Sequence, residues 1–214
     1  MLLSQEIIIN ELEAISSNAI DFANKGLNDR AKRIESLLAR LYEIDTESFS
    51  NIESLPLNNP DYDFCINTIF YQVTIRDSAK AKAKSFCDNI EKRADKYKIG
   101  AFKLIFFRYL SEKETKDVKS VIDSSSNKER ITLITLQEII NYFVKKESLK
   151  LDKFYEEINK FYEQTIFLIT KQKGPYFDRS NYISRNLKIT YKLEKETNYL
   201  VTEKDFICNE DLNT

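Results

Sequence analysis

Histidine is absent from all 214 residues of this chain. Its absence removes the commonest general base and the usual zinc ligand, and with them every Ser-His-Asp or Cys-His nucleophilic arrangement. Glycine is nearly as scarce, at three residues. Neither GxxxxGKS/T nor GxGxxG occurs, so a glycine-rich phosphate loop of either kind is excluded. The three cysteines, Cys65, Cys87 and Cys208, are odd in number and widely spaced. They disfavour a disulfide framework or a cysteine-based zinc site and suit a reducing cytoplasm. No apolar run reaches membrane-spanning length. The opening MLLSQEIIINELEA has early acids and neither the basic leader nor the cleavage site of a signal peptide. Charge of one sign is missing as well: 33 basic and 34 acidic residues leave a net charge of −1, so a polyanion has to be held by a local patch.

What is present supports a folded core. Hydrophobic residues make up 42% of the chain, and its length suits one large domain or a domain with an appendage. Apolar residues at helical spacing (Ile8, Leu12, Ile15, Ala19, Ala23) predict a helix over 4–24. A second runs from about 29 to 43, striped by Ala31, Ile34, Leu37, Leu38 and Leu41. After a loop over 45–60, DYDFCINTIFYQVTI (61–75) reads as a β-hairpin around Asn67–Thr68. Asp77 suits the N-cap of a third helix, about 78–96, with Ala79, Ala83, Phe86, Cys87, Ile90 and Ala94 inward. The continuous run AFKLIFFRYL (101–110) reads as a central strand covered on both faces. A short helix, a strand over 129–135 and a helix opened by the Thr135–Glu138 capping box follow. Strands alternating with helices predict an α/β fold with a mixed sheet. A helix over 149–170 carries an aromatic stripe, and alternation in NLKITYKLE and NYLVTEKDF suggests a C-terminal hairpin. The expected division is a core over 1–148 and an appendage over 149–214.

The hairpin carries the candidate chemistry. A two-residue turn sets Ile66 opposite Ile69, Phe64 opposite Tyr71 and Asp63 opposite Gln72. Alternation then gives one apolar face, from Tyr62 through Ile75, and a second bearing Asp61, Asp63, Gln72 and Thr74 around Cys65 and Phe70. Opposed side chains lie about 5 Å apart at Cβ, a spacing at which a carboxylate and a carboxamide oxygen can share a divalent cation such as Mg²⁺. An antiparallel hairpin also commonly wets one face, so the same residues read as a solvated surface.

The order of these pieces resembles the PD-(D/E)XK, restriction-endonuclease-like nuclease superfamily, and more closely its SMEK domain, a bacterial member associated with defence systems. The resembling segments are NDRAKRIESLLARLYEI, NNPDYDF, IFYQVTIRDSAK and ITLITLQEII, all within about residues 28–146. The resemblance implies a mixed four-stranded sheet flanked by helices and a Mg²⁺- or Mn²⁺-dependent nuclease, acting on DNA in the cytoplasm. Asp63 and Gln72 would be catalytic metal ligands and Glu35 a further one. Thr74 departs from the pattern, standing where many active members carry lysine. Lys80, early in the next helix, is the expected replacement. Arg76, Lys80 and Lys84 are expected to contact nucleic-acid phosphates, since 76–98 holds eight basic and four acidic residues. The alternative on the same fold is a non-catalytic nucleic-acid-binding or docking module. A homodimer or a defence-system partner protein is a further expectation, and no membrane partner is expected.

Overall fold

A computed structural model describes residues 3–24, 28–55, 62–75, 78–93 and 100–172. The elements run α1 (Leu3–Asn24), α2 (Asn28–Thr46), β1 (Phe64–Ile66), β2 (Ile69–Thr74), α3 (Ala79–Lys92), β3 (Ala101–Phe106), α4 (Glu112–Asp123), β4 (Ile131–Thr135), α5 (Leu136–Phe143) and α6 (Ser148–Gln172). This is the α/β order expected, with a four-stranded mixed sheet flanked by helices. The expected C-terminal hairpin lies outside the described residues. The chain separates into two units, Met1–Glu157 and Ile158–Thr214. The sheet and α1 to α5 belong to the first. Among the described residues no helix is long and apolar enough to cross a membrane.

The strands lie in the order β1-β2-β3-β4. β1 and β2 are antiparallel, with Phe64 opposite Tyr71, Cys65 opposite Phe70 and Ile66 opposite Ile69, the register dictated by the two-residue turn. Asn67 and Thr68 both take positive φ, 47° and 63°, as in the type I′ turn whose twist matches its strands. β2, β3 and β4 run parallel. Their crossovers, α3 and α4, return over the same face because the strand order advances in one direction twice.

Two layers of helix cover the sheet. On one side Ala83, Phe86 and Ile90 of α3 and Val118 and Ile122 of α4 pack on Phe102, Leu104 and Phe106 of β3. On the other, Tyr42 of α2 meets Phe64 and Tyr71 of the hairpin and Phe143 of α5, and Phe143 meets Phe154 at the start of α6. α1 joins this layer. Its Gln5 Nε2–H donates to Val144 O at 2.8 Å, and its Ser16 hydroxyl donates to Phe107 O at 2.8 Å.

Several boundaries differ from expectation. β3 ends at Phe106 and not near 110. Phe107 N–H still bonds Thr74 O at 2.8 Å, after which the chain turns toward the cap of α4. A 3-10 turn over Lys128–Arg130 delays β4 to Ile131. Ser78 is the N-cap of α3, which ends at Lys92; Asp77 lies outside the described residues. The largest difference concerns the polar hairpin face. It is not wet: Gln72 and Thr74 are each 6% exposed. The parallel β2–β3 pairing requires α3 to cross that face, which covers it.

Candidate functional site

The parallel strands determine where a site can form. Each hands the chain to a helix at its C-terminal end: β2 to α3, β3 to α4 and β4 to α5. Three helix N-termini, each with partial positive charge, therefore line one edge of the sheet. Open α/β sheets present their ligand sites at this edge.

Asp63 stands at the same edge, one residue before β1. Its N–H donates to Tyr71 O at 2.7 Å. Its Oδ2 accepts two hydrogen bonds, from Gln72 Nε2–H at 2.6 Å and from Val73 N–H at 2.6 Å. Just before β1 begins, the carboxylate thus supplies the acceptor that a strand N–H needs. Gln72 pairs in register with Leu104 and Thr74 with Phe106, so both side chains lie on the α3–α4 face. The structure brings Asp63 and Gln72 together.

The fit to a divalent cation can be judged from these donors. Mg²⁺ takes oxygen ligands. Asp63 Oδ2 is already engaged by two N–H donors, Gln72 turns its nitrogen toward that oxygen, and Thr74 is buried and uncharged. Glu35 stands in α2, two helical turns before Tyr42, which packs on Tyr71. Among the described residues, however, no three Asp, Glu or Cys side chains converge as a metal would need.

The basic residues gather elsewhere along the edge. Arg76 lies outside the described residues. Lys80 is exposed and its Nζ is 4.0 Å from Asp117 Oδ1, so the ammonium expected beside Thr74 is directed to α4. Lys84 follows one turn later. Together with Ser78, Lys113, Glu114 and Asp117 they line a groove of about 610 Å³ between α3 and α4.

Lys113 and Asp117 were not singled out from the sequence, although a signal was there. Ser111-x-x-Glu114 is a capping box: Ser111 Oγ accepts from Glu114 N–H at 3.2 Å, and Glu114 Oε2 accepts from Ser111 N–H at 2.9 Å. It fixes the start of α4 and sets Lys113 and Asp117 one turn apart on one side. Glu114 also accepts from Arg108 Nη2–H at 2.6 Å. That guanidinium, helped by Ser111, holds the Glu114 carboxyl down at about 2. Comparison with protein-family models, with curated proteins and with solved structures finds no match to this chain.

Proposed function

We propose that this chain is a nucleic-acid-binding module on a restriction-endonuclease-like frame, one that holds its ligand without hydrolysing it. The observation that carries this reading is the closed Asp63 carboxylate. At the position where the resemblance calls for a metal ligand, the group bonds Gln72 Nε2 and Val73 N–H and so acts as part of the sheet. Lys80, the expected replacement for the lysine absent at position 74, has its Nζ 4.0 Å from Asp117 Oδ1 on α4, which favours a binding role for it. Cationic side chains at the same edge remain suited to phosphate, which needs positive charge and N–H donors but no catalytic constellation.

The test is binding and cleavage measured together, using plasmid, single-stranded DNA and RNA in EDTA, Mg²⁺ or Mn²⁺ at matched ionic strength. The expected result is salt-sensitive binding that persists in EDTA, no cleavage, and the same behaviour for Asp63→Asn. The second reading, a Mg²⁺- or Mn²⁺-dependent nuclease acting on DNA, is favoured by the adjacency of Asp63 and Gln72. Metal-dependent cleavage that Asp63→Asn abolishes would establish it and overturn the first. A role in bacterial defence, in the cytoplasm or beside a partner protein, rests on the resemblance alone.

A further inference from the structure

The groove between α3 and α4 has a polarity that follows from how the helices lie. Lys80, near the start of α3, meets Asp117 in the second turn of α4. Glu91, in the last turn of α3, accepts hydrogen bonds from Ser125 and Ser126 just beyond α4. The helices therefore run parallel, and the positive ends of both macrodipoles open on the groove. Their starts differ. α4 is closed by its capping box, whereas Ser78 makes no side-chain capping bond at the start of α3. Side-chain charge adds to this. Lys80, Lys84 and Lys113 line the groove, Glu114 is neutralised by Arg108, and among the described lining residues Asp117 is the one acid left to face three ammonium groups. Among the described residues Lys84 and Lys113 have no ion pair.

We propose that this groove seats the phosphates of a nucleic-acid backbone. Lys113 joins Lys80 and Lys84 as a phosphate contact, and Asp117 is the anion that phosphate displaces from Lys80. The proposal rests on the reading of the chain as a nucleic-acid-binding module and names where that binding occurs. This groove has no aromatic lining residue. Its feature is spaced positive charge, which is what a phosphate backbone requires.

The experiment measures binding of a short fluorescent DNA duplex by the full chain over a range of KCl concentrations. It compares wild type with Lys113→Ala, Asp117→Asn and Lys119→Ala, the last an exposed α4 lysine outside the groove. Lys113→Ala should weaken binding and reduce the log–log salt slope by about 0.9. Asp117→Asn should tighten binding roughly two- to fivefold at low salt, since the competing exposed ion pair is weak. Lys119→Ala should do much less than Lys113→Ala. If wild type binds but Lys113→Ala matches Lys119→Ala, or Asp117→Asn fails to tighten binding, the groove is not the phosphate path, although the chain still binds nucleic acid. If wild type does not bind, both the groove proposal and the functional reading fall.

Discussion

At the scale of single residues, Thr68 carries the clearest local strain. A β-branched residue at φ 63° sits in the left-handed region that disfavours L side chains by about 1–2 kcal/mol, and the second position of a type I′ turn is best served by glycine. Thr68→Gly is expected to stabilise the fold by roughly 0.5–1 kcal/mol, the relieved strain less the entropy glycine loses on folding, as read from urea unfolding. An unchanged or lower midpoint would mean that the threonine side chain contributes more than its strain. Glu114 gives a second expectation, in acid. Its carboxyl is held at about 2, against 4.5 when unperturbed, chiefly by Arg108 and then by Ser111. A depressed carboxyl contributes stability that is fully present above the unfolded pKa and is lost as pH falls toward the folded one. The difference in melting temperature between wild type and Glu114→Gln should therefore be largest above pH 4.5 and close between 4.5 and 2. A gap independent of pH would assign the effect to geometry instead of charge.

At the scale of elements, the hairpin shows what a sequence can and cannot carry. Its register was legible because alternation and a two-residue turn leave one pairing that keeps Phe64, Tyr71 and Val73 on one face. The helical stripes were legible for the same periodic reason: Ala79, Ala83, Phe86, Cys87 and Ile90 are all buried in α3. The fate of the polar face was not legible. It depends on which side the crossovers take, a property of the whole sheet and not of 61–75. Lys103 was likewise hidden inside an apolar run. It lies half-buried over the rings of Tyr71 and Tyr42, at 5.1 and 5.5 Å, and burial lowers its pKa. The role of Asp63 as a strand acceptor follows from β1 beginning only at Phe64, and it has a direct readout. The Val73 amide should be protected from hydrogen exchange although β1 no longer pairs there. Asp63→Ala should remove that protection and cost about 1–3 kcal/mol, the penalty for unsatisfied buried donors. Asp63→Asn keeps an acceptor oxygen and should retain most of it. Rapid exchange of Val73 in wild type would show that the carboxylate is not serving the strand.

At the scale of the whole first unit, one sheet separates two aromatic clusters that share no ring among the described residues. Phe102 lies on the α3–α4 side, with Phe70 at 5.3 Å and Phe86 at 6.2 Å between ring centroids. Phe143 lies on the opposite side, with Tyr42 at 5.1 Å and Phe154 at 4.9 Å. Both rings are almost fully buried, and the strand backbone between the layers is common to both. Two consequences follow. Neither cluster can open without exposing a face of the sheet, so the unit should unfold in one transition seen identically by fluorescence and circular dichroism. Because the ring partners described for Phe102 and Phe143 differ, their substitutions should also add. Phe102→Leu and Phe143→Leu are each expected to cost about 1–2 kcal/mol, a partial loss of packing well below that of truncation to alanine. The double variant should equal the sum within about 0.5 kcal/mol, with the denaturant slope unchanged. An interaction energy well beyond that would mean that strain passes through the sheet from one layer to the other. The α3–α4 groove and the aromatic layer opposite would then respond to each other, and a ligand seated between the helices would alter the exposure of Tyr142 on the far side.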